Sequence, residues 1–426
     1  MFKLYIRQKL EAYVKKYFKK HPEVKLVVVA GSVGKTSTKV AISTVLSEKY
    51  RVRMHEGNHN THLSAPVAIL GIDYPKNIRN FGQWLSVFRA AKLRINSPTD
   101  VDIIVQELGT DRIGEIPYFG KYLKPDIGVV SAVAAEHMEF FKNMDNVAIE
   151  ELSAANFSKW ALINSDDIDD GYAKYLTNAN IDTYGTSGNA EYRFINEDFT
   201  MEEGYKGSFV APELPEPIFV NLKLLGEHIL RPAIAAGAVA VRLGLNADQI
   251  KSGLSKIRPA PGRMNMLRGV EKTMIIDDTY NSSPLAASCA LQTIYQLTVP
   301  QKIAVLGSMN ELGDSSADEH KKIGEFCNPE QLSWAVTVGD DANNYLAPAA
   351  KMRGCQVKTC KNAIEAGIFV RKVLGTGAVI LFKGSQGGVY LEESIKVLLH
   401  SVQDEKLLVR QSPDWLKTKN DYFSQF

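Results

Sequence analysis

The chain has 426 residues, 45% of them hydrophobic and 23% charged, with 50 Lys and Arg against 48 Asp and Glu. Because this length exceeds what one hydrophobic core usually serves, we expect two or three domains. The net charge of +2 excludes a general affinity for nucleic acid, and no stretch reaches the roughly 20 apolar residues of a membrane helix. The four cysteines lack the paired spacing of a zinc site, and they favour a reduced, cytoplasmic protein.

The N-terminal segment, residues 1–23, is rich in lysine. Lys15, Lys16, Lys19 and Lys20 follow a start that lacks the apolar core and small-residue cleavage site of a signal peptide. We predict a short amphipathic helix with a solvated charged face; a membrane-surface or partner-binding helix is the alternative.

Short β-rich runs alternate with helical stretches from residue 24 onward. The runs at 25–30, 101–106, 127–131 and 160–164 are largely apolar, which predicts parallel strands covered on both faces. Between about 183 and 220, Tyr, Phe, Thr and Gly with acidic interruptions predict an antiparallel β insertion. A helical pair that includes 231–243 follows. These patterns predict a central domain over residues 24–258.

The proline-rich stretch 257–262 predicts a domain linker. Beyond it, strands are predicted at 273–276, 302–306, 334–338, 356–358 and 378–382, spaced for intervening helices. We therefore predict an α/β protein: a P-loop central domain with a mostly parallel sheet, and a smaller Rossmann-like C-terminal domain over residues 259–426.

A glycine-rich turn, Gly31-Ser32-Val33-Gly34-Lys35-Thr36-Ser37, separates the first strand from a helix predicted at 37–47. Backbone N–H groups and the helix N-terminus converge there on the position of a phosphate chain. Lys35 is predicted to bridge the β and γ phosphates, and Thr36 to place its hydroxyl on Mg²⁺. The turn is shorter than the full Walker pattern, but its place between strand and helix predicts ATP binding.

The turn and several further segments resemble the Mur ligase family. The matching segments are 30–39, 57–60, 107–109 with 114–116, 135–139, 261–263, 277–281, 307–313 and 383–385. The resemblance covers nearly the whole chain from about residue 24. It implies an ATP- and Mg²⁺-dependent ligase that forms an amide bond through an acyl phosphate. The acceptor would be a cell-wall precursor carboxylate, and the amine D-alanyl-D-alanine or another amino acid or dipeptide.

The resemblance also implies a metal site. Glu107 would bind Mg²⁺ together with Thr36, and His137 would bind or orient a second metal ion. Glu151 stands where family members commonly have a carbamylated lysine, and its carboxylate could take over the role of that carbamate. The alternative is an ordinary surface glutamate beside Glu150.

The C-terminal domain is implied to close over the nucleotide and exclude water. Asn281 would contact the adenine side, within the acidic segment that includes Asp278. Arg263 would reach the phosphates in the closed form. The acidic segment has a simpler alternative, a turn at the end of a strand. Lys35, Glu107, His137, Glu151 and Arg263 are the predicted catalytic residues.

Two departures from the family pattern leave the function open. The segment His228-Ile229-Leu230-Arg231-Pro232 keeps the histidine of a family His-Asn-x-x-Asn helix start and loses both asparagines, so ATP is expected to be held differently there. The phosphate loop begins after about 30 residues, whereas the peptidoglycan-building members carry a preceding UDP-sugar domain. We expect that domain to be missing, with a partner protein or another surface in its place.

Two alternative functions follow from these departures. The first is a ligase for an acid that is not linked to UDP, such as a folate-like, poly-amino-acid or cofactor intermediate. The second is a nucleotide-binding pseudoenzyme that acts as a scaffold.

Overall fold

A computed structural model describes residues 2–426; Met1, the first residue of the predicted N-terminal segment, lies outside them. The chain divides into two compact units. The first contains the residues up to Ala134, together with Phe140–Leu224 and Leu230–Arg258. The second contains Ala135–Glu139, Leu225–Ile229 and Pro259–Phe426. Each unit is built around its own sheet.

The helices of the first unit are α1 (Phe2–Lys20), α2 (Lys35–Leu46), α3 (Ser64–Leu70), α4 (Phe81–Asn96), α5 (Glu115–Phe119), α6 (Met138–Phe141, which begins in the second unit), α7 (Met144–Asn156), α8 (Leu230–Arg242) and α9 (Ala247–Lys256). Its strands are β1 (Lys25–Ala30), β2 (Val52–Met54), β3 (Ile103–Glu107), β4 (Ile127–Val130), β5 (Trp160–Asn164), β6 (Ile181–Gly185), β7 (Tyr192–Thr200), β8 (Gly204–Val210) and β9 (Ile218–Leu222). A 3-10 turn spans Asp170–Tyr175.

The sheet of the first unit has the strand order β2-β3-β1-β4-β5-β6-β7-β8-β9. All neighbours from β2 to β7 are parallel, and β7, β8 and β9 are antiparallel. The antiparallel segment predicted at about 183–220 is therefore an extension of the main sheet. Strands β1, β3, β4 and β5 are almost wholly buried because helices cover both faces of a parallel sheet.

The second unit has the strands β10 (Asn265–Arg268), β11 (Met274–Asp278), β12 (Lys302–Gly307), β13 (Trp334–Val338), β14 (Val357–Cys360) and β15 (Val379–Lys383). Its helices are α10 (Pro284–Gln296), α11 (Ser316–Phe326), α12 (Ala347–Met352), α13 (Ala363–Val373), α14 (Glu392–Lys396) and α15 (Pro413–Phe423), with a π-helical turn at Ala342–Leu346. Short 3-10 turns lie at Glu227–Ile229, Val270–Lys272, Gly313–Ser315 and Val402–Leu407. The strand order is β10-β11-β15-β12-β13-β14, parallel except for β10.

Two strands were missed in the sequence. β2 has only three residues, all partly exposed, so it shows no apolar run. β10 pairs antiparallel at the edge of the second sheet, where Asn265 and Arg268 interrupt the hydrophobic pattern. Among residues 2–426, no helix combines the length and the apolar character needed to cross a membrane.

Candidate active site

The phosphate loop, Gly31–Gly34, leaves the sheet between two strand ends. In the register of the sheet, Val29 lies beside Glu107 on β3, and Ala30 lies beside Val130 on β4. The parallel strands therefore end together, and the polar residues at their carboxyl ends meet at one edge. Glu107 is the last residue of β3, whereas the predicted strand ended at residue 106, just before it.

The end of β4 fixes the shape of the loop. Gly31 has a φ of 126°, and a Cβ there would lie 2.4 Å from Ser131 Oγ. The Ser131 hydroxyl donates to Val33 O at 2.6 Å, and Ser32 N donates to Ala132 O at 2.9 Å. α2 begins at Lys35, two residues before the predicted start, and Gly34 precedes it in a left-handed conformation. These contacts aim the N-terminus of α2 at the space above the loop, where an anion is stabilised.

Thr36 and Glu107 form the polar centre of this edge. Thr36 Oγ1 donates to Glu107 Oε2 at 3.0 Å, and Asn60 Nδ2 donates to Glu107 Oε1 at 3.1 Å. Lys39 Nζ lies 3.4 Å from Glu107 Oε2, and both side chains are buried. The nearby ammonium compensates the buried carboxylate, which would otherwise be costly to bury.

The Lys35 ammonium folds back over the loop. Its Nζ donates to Gly31 O at 2.5 Å and to Ser32 O at 3.2 Å. A lysine held in this way lies within side-chain reach of any phosphate bound by the loop N–H groups. Its flexible stem allows the ammonium to move from carbonyl to phosphate oxygens.

The donor set at this edge suits Mg²⁺. A threonine hydroxyl and a carboxylate are hard oxygen ligands, and Mg²⁺ at nucleotide sites usually takes one or two carboxylates together with phosphate oxygens and water. Within residues 2–426, no three His, Cys, Asp or Glu side chains gather into a group that could hold a metal ion. Thr36 and Glu107 are two such oxygen ligands, and phosphate oxygens of a bound nucleotide would be further ones.

A pair of stacked histidines borders Lys39. The rings of His55 and His59 lie 3.6 Å apart at 15°, and Lys39 Nζ donates to His55 O at 2.9 Å. Burial, with further contributions from His55 and Lys39, lowers the pKa of His59 to about 4. His59 is therefore neutral at physiological pH.

Comparison with known proteins places the chain in a family. The model of the Mur ligase middle domain matches residues 29–240, and that of the Mur ligase glutamate ligase domain matches residues 262–386. The chain belongs to the Mur ligase family. The matched ranges include the phosphate loop, Glu107 and the acidic segment of the second unit, and the resemblance seen in the sequence is confirmed.

Relatives of this Mur ligase are found among enzymes and solved structures. The UDP-N-acetylmuramoyl-tripeptide--D-alanyl-D-alanine ligase of Bacillus subtilis (strain 168) is 28% identical over 391 residues, which cover 88% of this chain and 76% of the relative. The crystal structure of MurF from Acinetobacter baumannii has a TM-score of 0.76 at 24% identity, covering 91% of this chain and 79% of that one. MurF from Thermotoga maritima in complex with ADP has a TM-score of 0.71 at 22% identity, covering 91% and 83%. The predicted α/β fold class is confirmed.

Glu151 lies beneath the phosphate loop of this Mur ligase. Its side chain is buried, and Oε2 accepts a hydrogen bond from Gly31 N at 2.7 Å. The neighbouring Glu150 is also buried, and it accepts hydrogen bonds from Gly114 N and Ile116 N, both at 2.6 Å. Burial raises the pKa of Glu150. The alternative of an ordinary surface glutamate is therefore wrong for Glu151, which contacts the loop directly.

His137 lies in the second unit, whereas Thr36, Glu107 and Glu151 lie in the first. Its backbone φ is 51°, and its Nδ1 lies 3.1 Å from Oε2 of Glu311. The four predicted metal ligands are thus divided between the two units. Within its own unit, His137 pairs with a carboxylate.

The predicted nucleotide residues of the second unit surround the end of β11. Lys383 Nζ lies 2.9 Å from Asp278 Oδ2 and donates to Asn281 O at 2.6 Å. The Arg263 guanidinium lies over the ring of Tyr280, 4.3 Å from its centroid. The structure therefore brings Asp278 and Asn281 together around one buried ammonium.

Asp277 forms the strand-end turn that was considered for the acidic segment. Its Oδ1 accepts hydrogen bonds from Thr279 Oγ1 at 2.6 Å and from Thr279 N at 3.2 Å. Burial raises the pKa of Asp277 to about 6. The turn interpretation thus holds for Asp277, while Asp278 pairs with Lys383.

A chain of hydrogen bonds that sequence reasoning missed joins α8 to the phosphate loop. Arg231 Nη1 donates to both oxygens of Asp167 at 2.9 and 2.8 Å, and Nε donates to Asp166 Oδ2 at 3.1 Å. Asn164 Nδ2 donates to Asp167 Oδ2 at 2.8 Å and to Ser131 O at 2.6 Å. Ser131 in turn holds the loop. The available signal was the polar run after β5 and the lone serine after β4.

Proposed function

We propose that this Mur ligase uses MgATP to join an amine to a carboxylic acid. The carboxylate attacks the γ-phosphate, which gives an acyl phosphate and ADP. The amine then attacks the acyl carbon, and inorganic phosphate leaves as the amide bond forms. The observation that carries the proposal is the cluster at the strand ends, where the Thr36 hydroxyl, the Glu107 carboxylate and the Lys35 ammonium border one phosphate loop.

The loop residues hold the triphosphate in this proposal. The N–H groups of Val33 and Gly34 and the N-terminus of α2 bind the phosphates, and Lys35 moves from the loop carbonyls onto the γ-phosphate. Thr36 and Glu107 would hold Mg²⁺, which neutralises charge on the phosphates during transfer. This arrangement aligns the γ-phosphate with the acid and stabilises the developing charge.

The remaining predicted residues support this site. Glu151 holds Gly31 in place through its backbone N–H, and its carboxylate is a proposed ligand for a second Mg²⁺. His137 is a proposed second metal ligand or orienting group. Asn281 and Arg263 are proposed to contact the adenine side and the phosphates.

The proposed amine is D-alanyl-D-alanine, and the proposed acid is a UDP-linked muramoyl tripeptide. The curated relative from Bacillus subtilis, named for this reaction, supports this choice. The structure of MurF from Thermotoga maritima in complex with ADP supports nucleotide binding. A partner protein that helps to hold the acid, and a cytoplasmic location, stay predictions.

Product identification tests the proposal. The full chain is incubated with MgATP, UDP-muramoyl tripeptide and D-alanyl-D-alanine, and the products are read by mass spectrometry. We expect a mass gain on the tripeptide with equimolar ADP, and no gain with the Lys35→Ala variant.

The outcomes separate the alternatives. Nucleotide binding without coupling for this acid, but with coupling for a folate-like or other acid, would reassign the substrate. Tight MgATP binding with no turnover for any acid and amine pair would overturn the enzymatic proposal and favour a scaffold.

A further inference from the structure

Helices α1 and α4 pack side by side in the first unit and run in the same direction. At their N-terminal ends, the rings of Phe2 and Phe81 lie 5.8 Å apart. At their C-terminal ends, Lys20 Nζ donates to Asn96 Oδ1 at 3.0 Å. The two helices thus present one continuous outward surface, here called the α1/α4 face.

The buried stripes of the two helices identify the residues on this face. The stripe of α1 consists of Ile6, Leu10, Tyr13, Val14 and Tyr17, and that of α4 of Trp84, Val87, Phe88, Ala91 and Ile95. With 3.6 residues per turn, the positions opposite these stripes point away from the core. On α1 they include Leu4, Tyr5, Lys15, Lys16 and Lys19, and on α4 they include Leu85, Arg89, Lys92 and Leu93, all exposed.

One end of the α1/α4 face is apolar. Six large apolar side chains are between 40% and 51% exposed there: Phe2, Leu4, Tyr5, Ile78, Phe81 and Leu85. They lie in the first two turns of each helix or just before α4. Scattered exposed apolar residues are normal, but a group of six at the joined ends of two helices marks an interaction surface.

The rest of the face is strongly basic. α1 contains seven Lys or Arg and one acidic residue, Glu11, which pairs with Arg7; α4 contains three Lys or Arg and no acidic residue. These two helices therefore carry a net charge of +9. Because the whole chain has a net charge of +2, the rest of it has a net charge of −7. The excess positive charge of this protein therefore lies on these two helices.

We propose that the α1/α4 face docks this Mur ligase onto an anionic membrane surface. Its lysine-rich part lies against acidic lipid headgroups, and its apolar end enters the boundary between headgroups and acyl chains. Electrostatic attraction and apolar insertion are the two signals that stable peripheral binding requires. A nucleic acid matches the charge but offers no apolar boundary for the leucines, so the combination favours a lipid surface. This docking is independent of the proposed reaction.

Vesicle flotation of the full chain tests the docking. We expect the protein to float with vesicles of phosphatidylcholine and phosphatidylglycerol, to stay behind with phosphatidylcholine alone, and to be released by high salt. Each surface charge contributes about fivefold to binding, so Lys15→Gln, Lys16→Gln and Lys19→Gln together should weaken it about a hundredfold. A matched control removes three exposed lysines elsewhere: Lys223→Gln, Lys251→Gln and Lys351→Gln. Vesicle binding of this control variant should weaken far less than that of the Lys15, Lys16 and Lys19 variant.

The apolar end has its own variant. Leu4→Ser with Leu85→Ser should weaken vesicle binding about tenfold or more without changing the melting temperature, because both side chains point outward. Absence of vesicle binding, or equal loss with the control lysines, would overturn the proposal. Normal vesicle binding by the leucine variant would also overturn it, because the attraction would then be electrostatic alone. A vesicle-free dimer that the leucine variant disrupts would assign the face to a second copy instead, and duplex DNA binding of equal strength would assign it to nucleic acid.

Discussion

Replacing Glu151 separates its two proposed roles, which are holding the phosphate loop in shape and binding a metal ion. The side chain is buried beneath the phosphate loop, and its Oε2 accepts from Gly31 N at 2.7 Å. A hydrogen bond to a charged group contributes about 1.5–3 kcal/mol, so Glu151→Ala should weaken nucleotide binding by about 10- to 150-fold if the loop loses its shape. Glu151→Gln keeps an oxygen acceptor of the same reach and loses only the negative charge.

The two variants are compared by nucleotide titration and by ADP release at a series of Mg²⁺ concentrations. If Glu151 only holds the loop, the Gln variant should bind nucleotide within a few-fold of the wild type and need no extra Mg²⁺. If the carboxylate also binds a metal ion, the Gln variant should require more Mg²⁺ for the same rate, because a neutral amide is the weaker ligand. We expect the second result, which matches the proposed second metal site.

Glu150→Gln provides the matched control. It changes a buried glutamate of the same helix, but the side chain holds the backbone at Gly114 and Ile116 instead of the phosphate loop. Its Mg²⁺ requirement should stay that of the wild type. Full activity of Glu151→Ala at limiting Mg²⁺ would refute both roles.

Three further changes probe the loop and the second unit. Lys35→Ala should reduce coupling by at least about a hundredfold in an ADP-release assay, and unchanged nucleotide affinity and turnover would contradict the whole arrangement. Gly31→Ala should abolish the stabilisation by MgATP in a thermal-shift assay, because the new Cβ would meet Ser131 Oγ at 2.4 Å and the φ of 126° disfavours a side chain. The raised pKa of Asp277, about 6 against 3.8, means that the folded state keeps a proton the unfolded state has lost. The contribution of Asp277 to the free energy of unfolding should therefore fall by on the order of 3 kcal/mol between pH 3.8 and 6, and urea titrations of Asp277→Asn should lack this part of the pH dependence.

The parts of the fold that depend on local pattern could be predicted from the sequence. β5 and β13 were predicted with the bounds that the structure has, because each is a short apolar run between polar breaks. β2 could not be predicted: it has only three residues, the middle one Arg53, and its parallel pairing with β3 defines it as a strand. Pairing of distant segments decides such strands, and a window of local sequence holds no information about it.

In the candidate site, too, features set by local sequence pattern could be predicted, and features set by contacts between distant segments could not. The loop residues and Thr36 were predicted from the glycine-rich turn between strand and helix, and Glu107 was predicted from the family resemblance together with its place at the end of a strand. The burial of Glu150 and Glu151 was not predictable, since glutamate is rarely buried and the partners that justify its burial are backbone N–H groups more than 30 residues away in sequence. The structure explains why the two adjacent carboxylates on α7 are buried: Glu151 contacts the phosphate loop, and Glu150 contacts the backbone at Gly114 and Ile116.

The changed helix start at α8 has a different meaning once these contacts are included. From the sequence, the loss of two asparagines predicted only that ATP is held differently there. In the structure, Arg231 binds the Asp166 and Asp167 carboxylates, and Asn164 extends the contact to the strand end that holds the phosphate loop. Both carboxylates are largely buried, so removing the arginine would leave them uncompensated, a change that typically costs about 3–5 kcal/mol. The start of α8 is thus tied to the loop by a charged network, and nucleotide binding should depend on Arg231, which the family pattern does not specify.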